Sequence, residues 1–121
     1  MSGSMGAKLL AILDGSAQTQ SSAQKIEELV QSCDVVVFAL SACGLCMEAE
    51  QMLRIKGARY KMVYVEYRLD ARAIRRVLSA HYHTPTVPVI FIHGSCIGGL
   101  QQLQELETHR QLDALLFPTT H

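Results

Sequence analysis

The stretch VVVFALSACGLC, Val35 to Cys46, decides how the rest of the chain is interpreted. It opens with VVVFAL, a short continuous run rich in β-branched residues, which is typical of a strand buried on both faces of a parallel sheet. The segment from Gly44 to Lys56 then predicts a helix, which Gly57 ends. The sequence therefore predicts that Cys43 lies at a junction between a buried strand and a helix.

Cys43 and Cys46 form a Cys-x-x-Cys pair at this junction. Free N–H groups and the positive end of a helix favour an anion, so we expect Cys43 to form a thiolate more readily than a free cysteine does. Cys46 lies one helical turn further on, close enough to form a disulfide with Cys43 and release a mixed-disulfide partner. The pair predicts thiol–disulfide exchange.

Three other interpretations of this pair stay open. It resembles half of a zinc site, although no second Cys-x-x-Cys or close histidine pair completes one. It is also compatible with two small core residues, or with a structural disulfide. Of the four cysteines only these two are close in sequence, which favours a reducing compartment with one functional pair. We predict that Cys33 is a core residue, and that Cys96 is either a core residue or a second redox thiol.

Hydrophobic periodicity predicts alternating helices and strands outward from this stretch. The parallel crossover around the cysteine pair and a later hairpin together predict a thioredoxin-like α/β fold, with about four strands in a small mixed sheet and helices on both faces. The predicted elements are a helix with Ile26, Leu29, Val30 and Cys33 on one stripe, a strand at Tyr60–Tyr67, a helix after Asp70 with Ile74, Val77, Leu78 and His81 on one face, a strand at Val89–Ile92, a turn at His93–Ser95, a short strand at Cys96–Ile97 and a helical region to about Leu116.

Length and charge limit the classes of protein to which this chain can belong. The 121 residues fit one domain, and 11 basic residues balance 11 acidic ones, so the charge gives no reason to expect nucleic acid or an anionic membrane as partner. No apolar run approaches the ~20 residues that span a bilayer. The opening MSGSMG lacks the order of a secretory signal. We expect residues 1–23 to be a flexible arm or partial tag, residues 24–118 to be the domain, and the location to be intracellular and cytoplasmic.

Along most of Gln24 to Leu116 the chain resembles a glutaredoxin. Three landmarks carry the resemblance: FALSACGLC at residues 38–46, Thr86-Val87-Pro88 ahead of VIFI, and Ile97-Gly98-Gly99. The resemblance implies a glutathione-dependent thiol–disulfide oxidoreductase that serves cell redox homeostasis and acts on glutathione and protein mixed disulfides. It gives Cys43 the role of nucleophile and Cys46 that of resolving thiol.

The same resemblance assigns the ligand contacts. It implies that Pro88 follows a cis peptide bond and that the backbone of Val87 binds an extended cysteinyl peptide. It also implies that Gly98 and Gly99 allow close approach of glutathione, with Leu100 and Gln101 at the start of the next helix facing its γ-glutamyl carboxylate. The alternative for the two glycines is a plain turn.

Three positions depart from the family pattern. Leu40 stands where members usually carry a lysine, Leu45 where they carry an aromatic residue, and Gln101 where they carry an acid. Each loss costs ~1.5–3 kcal/mol of glutathione binding where a charge-assisted bond is lost and not replaced. Candidates for a replacement are few: we predict that His81 is a core residue and that Arg72, Arg75 and Arg76 form a solvated face, whereas His83 stays open.

Two further functions stay open. Gly44 after Cys43, and Pro85 before Thr86, are similar to the single-cysteine CGFS glutaredoxins, which bind a [2Fe–2S] cluster between two subunits through the active cysteine and glutathione. An iron–sulfur carrier or sensor would be a dimer with Cys43 as its protein ligand, whereas the oxidoreductase is expected to be a monomer without metal. The departures from the pattern also leave open a degenerate glutaredoxin-like module that serves protein interaction.

Overall fold

The computed structural model describes residues 16–84 and 86–119, with side chains described from residue 22 onward within those ranges. Helices and strands alternate along most of this part, and a short 3-10 helix at Val65–Tyr67 follows the second strand. The elements are α1 (Ser16–Gln31), β1 (Val35–Ala39), α2 (Gly44–Ile55), β2 (Tyr60–Tyr64), α3 (Ala71–Tyr82), β3 (Val89–Ile92), β4 (Ser95–Gly98), α4 (Leu100–Thr108) and α5 (Leu112–Leu116). Within these ranges no helix combines the length and the apolar character needed to cross a membrane.

The four strands form one mixed sheet in the order β2-β1-β3-β4. β1 runs parallel to β2 and antiparallel to β3, so Val35 lies between Tyr60 and Ile92. The β3–β4 hairpin turns at His93 and Gly94, which have φ values of 48° and 84°. Positive φ at both central residues matches the twist of a two-residue hairpin. The predicted thioredoxin-like α/β fold is confirmed.

Every residue of β1 is buried, and alternate side chains of a strand point to opposite faces of the sheet. Both faces are therefore covered, and helices form the covering layers. Val35, Val37 and Ala39 pack with α2, α4 and α5 in one cluster of buried residues. Val36 and Phe38 pack with α1 and α3 in a second cluster. The fully buried β1 therefore fixes the position of the loop that follows it, which leads to Cys43.

Several boundaries differ from the predictions. The predicted strand at Tyr60–Tyr67 ends at Tyr64 because β1 provides no pairing partner beyond Ala39, and the chain continues as the 3-10 helix. The helical region toward Leu116 is two helices, separated near Arg110, whose φ is 57°.

The first helix also differs at both ends. α1 begins at Ser16, so residues 16–23 are helical where the sequence predicted a flexible arm, and Ala23 packs beside the second cluster. Residues 1–15 of that predicted arm lie outside the described residues. Cys33 follows the helix rather than lying on its stripe; it is half-buried against the same cluster.

Candidate functional site

Cys43 is the N-cap residue of α2. Its backbone is extended, with φ −131° and ψ 110°, and its Sγ accepts a hydrogen bond from the backbone N–H of Cys46 at 3.2 Å. A side chain in this position satisfies one of the free N–H groups at the start of a helix, and a thiolate accepts such a bond more strongly than a thiol does. The predicted junction of buried strand, cysteine and helix is therefore present.

Cys46 has a different environment one turn into the helix. Its side chain is only 1% exposed, whereas Cys43 is half-buried. Burial, and next the hydrogen bond with Cys43, raise the pKa of the Cys46 thiol from 9.0 to about 12. Cys46 is therefore a neutral thiol near pH 7, and only Cys43 combines exposure with a helix N-terminus. Both cysteines are free, as are Cys33 and Cys96.

A groove of about 760 Å³ adjoins the start of α2. Leu45, which stands between the two cysteines, forms part of its wall and is 54% exposed. The peptide bond between Val87 and Pro88 is cis, as the resemblance implied. All six ligand-binding residues predicted from the sequence line this groove: Val87, Pro88, Gly98, Gly99, Leu100 and Gln101. We call this cavity the glutamine groove, because Gln102 and Gln104 line it as well.

Gly98 and Gly99 lie where β4 meets α4 at the edge of the groove. A Cβ at Gly99 would lie 3.4 Å from the backbone oxygen of Pro88, and the Gly99 N–H donates to Oε1 of Gln102 at 2.9 Å. Gly98 has a φ of 115°, a conformation that favours glycine. Gly99 thus places the start of α4 beside Pro88, and the backbone conformation of Gly98 is the feature of this pair that calls for glycine.

A second, smaller cavity of about 230 Å³ adjoins the first and shares Thr84, Thr86 and Val87 with it. Leu40 and Arg75 line this cavity, which we call the Arg75 pocket. Arg75 is exposed, as predicted. Its position beside a cavity was not predicted from the sequence. The sheet brings Leu40 and Arg75 together, and the pocket thus contains a cation beside the position where the family pattern has lysine.

Glu66 holds the loop ahead of Cys43. Its two carboxylate oxygens accept hydrogen bonds from the backbone N–H of Ser41 at 2.9 and 3.0 Å, and one of them also accepts the Ser41 hydroxyl. The Tyr67 hydroxyl donates to Oγ of Ser41 at 3.0 Å. The bonds from Ser41, aided by the charge of Arg75, hold the pKa of the Glu66 carboxyl below its usual range.

The sequence did not predict this contact, because the predicted strand continued to Tyr67 and so included Glu66, which in the structure follows the end of β2. The signal that could have found it is the parallel pairing of β1 and β2, whose carboxyl ends meet at one edge of the sheet.

The prediction that His81 is a core residue is wrong, because its side chain is exposed at the end of α3. Its neighbour Tyr82 continues the buried stripe instead, with its ring centroid 5.0 Å from that of Phe91. His83 has a φ of 54° and lines the glutamine groove. Pro85, which carried part of the similarity to the CGFS proteins, lies outside the described residues.

Among the described side chains, no group of three or more His, Cys, Asp or Glu is arranged to hold a metal ion. Cys43 and Cys46 alone do not complete a four-ligand site. A [2Fe–2S] cluster would therefore need ligands from outside this chain, and its binding stays a prediction.

Comparison with known proteins gives one family. A family model described as Glutaredoxin matches residues 35–97. Glutaredoxin-C1 of Arabidopsis thaliana is 35% identical over 92 residues, which cover 76% of this chain and 74% of that protein. Monothiol glutaredoxin-S1 of the same plant is 29% identical over 93 residues, covering 77% and 91% respectively.

Solved structures agree with the sequence relatives. A buckwheat glutaredoxin–glutathione complex superposes with a TM-score of 0.80 at 32% identity, covering 83% of this chain and 91% of that one. The holo form of glutaredoxin C1 from Populus tremula x tremuloides gives a TM-score of 0.80 at 33% identity, with 83% and 90% covered. Both likenesses thus cover more than four fifths of this chain.

Proposed function

This chain belongs to the glutaredoxin family, and we propose that it is a glutathione-dependent thiol–disulfide oxidoreductase with Cys43 as nucleophile and Cys46 as resolving thiol. Membership of the family supports a redox function. The observation that carries the finer proposal is the contrast between the two thiols. Cys43 is accessible and accepts an N–H bond at a helix start, whereas Cys46 is buried and its pKa is raised.

In the first step, the Cys43 thiolate attacks one sulfur of a mixed disulfide between glutathione and a substrate. A new disulfide forms between Cys43 and glutathione, the original S–S bond breaks, and the substrate sulfur leaves as a thiolate that takes a proton from water. The N–H of Cys46, 3.2 Å from the sulfur of Cys43, helps to orient the attacking atom. No net oxidation occurs in this exchange.

In the second step, a thiolate must attack the Cys43–glutathione disulfide. The buried Cys46 is almost wholly protonated near pH 7, because its pKa lies at about 12. A second glutathione is therefore the faster resolving thiol in this proposal, giving oxidised glutathione and free Cys43. Cys46 acts when Cys43 is joined to a protein substrate. It then forms a disulfide with Cys43 and releases the substrate thiol.

The glutamine groove and the Arg75 pocket supply a binding site of suitable shape. They share Thr84, Thr86 and Val87 as lining residues. A buckwheat relative at 32% identity is described as a complex with glutathione, which supports glutathione as the ligand. We propose that a glutathionyl group lies across Val87 with its sulfur toward Cys43.

The test is glutathione-coupled reduction of a small mixed disulfide by the wild type, Cys43→Ser and Cys46→Ser. We expect Cys43→Ser to lose at least a thousandfold of the rate, because an alcohol does not replace the thiolate. We expect Cys46→Ser to keep at least half of the rate, since glutathione resolves the intermediate.

Cys96→Ser is the matched control, because Cys96 is a free, half-buried cysteine outside both cavities. It should retain the wild-type rate. Loss of all turnover in Cys46→Ser, with its fold intact by circular dichroism, would contradict the proposed division of labour. A folded wild type without glutathione-dependent turnover would contradict the proposed function.

A further inference from the structure

The glutamine groove has polar walls without a formal acid. Among the described residues that line it there is no Asp, Glu, Lys or Arg, and its one titratable side chain is the imidazole of His83. Its apolar walls include Leu45 and Ile97, and its hydrogen-bonding side chains are those of Thr84, Thr86, Gln101, Gln102 and Gln104. Amides and hydroxyls of this kind match the N–H and C=O groups of a polypeptide.

Gln101 hydrogen-bonds an acid, Glu105, that does not itself line the groove. Nε2 of Gln101 donates to Oε1 of Glu105 at 3.3 Å, and Oε1 of Gln102 accepts from Gly99 N–H at 2.9 Å. Glu105 itself lines a separate cavity together with Cys96 and His109. A cationic group of a ligand in the groove therefore has no carboxylate to pair with among the described lining residues.

The neighbouring Arg75 pocket has the opposite character. Its walls include Leu40, Leu78 and Val89, and Arg75 is its one charged side chain among the described residues. The two cavities thus divide the site into a neutral side and a cationic side, which meet at Val87.

From this division we infer that the glutamine groove binds an uncharged length of polypeptide beside the reacting cysteine, and that it does not recognise a free ammonium group. The inference rests on the proposed function, which places a thiol-bearing peptide across Val87. A ligand gains no charge-assisted hydrogen bond by bringing an ammonium into this groove, and the ammonium loses water on entry. Disulfides whose flanking peptide on this side carries no ammonium group therefore fit the groove as well as the glutathionyl group does.

The test compares two mixed disulfides of one reporter thiol, made with glutathione and with N-acetylglutathione, whose amine is blocked. We expect the wild type to reduce both with kcat/KM values within about twofold of each other. Gln101→Glu places a carboxylate in the groove and should favour glutathione over its N-acetyl form by about tenfold, the effect of one charge-assisted bond. Gln51→Glu is the matched control: it adds the same charge on the exposed side of α2, outside the groove, and should leave the ratio unchanged.

A binding measurement separates this inference from the proposed function. Calorimetry on Cys43→Ser, which does not turn over, should give S-methylglutathione and its N-acetyl derivative affinities within about twofold. A tenfold or larger preference of the wild type or of Cys43→Ser for the free amine would overturn the inference while leaving the oxidoreductase proposal intact. Equal binding of both ligands without turnover by the wild type would refute the oxidoreductase and uphold the inference. Absence of binding of either ligand would overturn the inference, and if the wild type also showed no turnover it would overturn the oxidoreductase proposal as well.

Discussion

Arg75 gives the smaller cavity its charge. Its side chain is exposed on α3, and in the part of the chain that the structure describes it forms no salt bridge within 4.0 Å. Its charge helps to hold the pKa of Glu66 low, but that carboxylate is already bonded to Ser41. Since Leu40 offers no cation on the opposite wall, a ligand carboxylate in this pocket has Arg75 as its partner.

Replacing this cation tests its role in binding. We expect Arg75→Gln to raise the KM for a glutathionyl mixed disulfide by about threefold to tenfold, because an exposed ion pair is weaker than a buried one. The value of kcat should change by less than twofold, since Cys43 and its helix start are untouched. Steady-state kinetics at low ionic strength measure both constants.

Arg72→Gln and Arg76→Gln are the matched controls, because both arginines are exposed on the same helix and neither lines a cavity beside Val87. They remove the same net charge and should leave KM within twofold of the wild type. Equal increases in all three variants would instead indicate long-range attraction, and would remove Arg75 from the site.

Single residues on α3 show what periodicity predicts and what it does not. Ile74, Val77 and Leu78 are buried as predicted, because a helix with one apolar stripe turns that stripe toward the core. The position of Arg75 beside a cavity depends on Leu40 and Val89, which lie on other elements that only the sheet brings near. His81 was assigned to the core from its spacing alone, and the end of the helix turns Tyr82 inward instead.

Between elements, Glu66 links the end of β2 to the loop that leads into α2. Its carboxylate fixes the N–H of Ser41, two residues before the reactive cysteine. The Tyr67 hydroxyl bonds the side chain of Ser41 without touching that N–H group. Glu66 therefore bonds both the backbone and the side chain of Ser41, whereas Tyr67 bonds the side chain alone.

Amide hydrogen exchange tests the anchoring. We expect the Ser41 amide to exchange at least tenfold faster in Glu66→Ala than in the wild type at pH 5.5, where the low pKa of Glu66 keeps its carboxylate charged. Tyr67→Phe is the control and should leave exchange at Ser41 within about twofold. The reaction rate of Cys43 with a small disulfide should fall in Glu66→Ala, because the loop that presents the thiol loses its order.

Unchanged exchange at Ser41 in Glu66→Ala would show that the loop is held by its flanking elements alone. Sequence patterns could not predict this contact, since it joins residues 25 positions apart at the ends of two strands. The strands themselves were predictable, because VVVFA and VIFI are continuous apolar runs and both are buried throughout. The end of β2 was not, because the extent of a parallel strand depends on where its partner ends.

For the molecule as a whole, the order of elements was sufficient to predict the fold. One parallel crossover followed by one hairpin leaves few arrangements of four strands, and the observed order β2-β1-β3-β4 satisfies both. The cysteine pair and the six groove residues were identified because they lie in short local motifs. The neutral character of the groove and the position of Arg75 near Leu40 could not be predicted from the sequence, because both depend on how separate elements pack together.

The pH dependence of stability follows from groups throughout the fold. Burial raises the pKa of Cys46, and it also raises those of Cys96, Tyr64 and Tyr82. Each of these groups is neutral in the folded state at a pH where the unfolded chain has already lost its proton. The unfolded state then binds fewer protons, so stability falls as the pH rises. For Cys46 the fall begins near 9.0 and continues to about 12.

Chemical denaturation between pH 8 and 10.5 measures this effect. We expect the free energy of unfolding of the wild type to decline across this interval, with Cys46 contributing on the order of 1 kcal/mol per pH unit above its ordinary pKa. Cys46→Ala should be less stable at pH 8, since it leaves a small cavity, but its decline with pH should be shallower. Val37→Ala is the matched control, because it also removes apolar atoms from the first buried cluster and has no proton to lose. Its curve should run parallel to that of the wild type. If Cys46→Ala ran parallel as well, the thiol would titrate at the same pH in both states, and the contrast between the two cysteines would have to come from exposure alone.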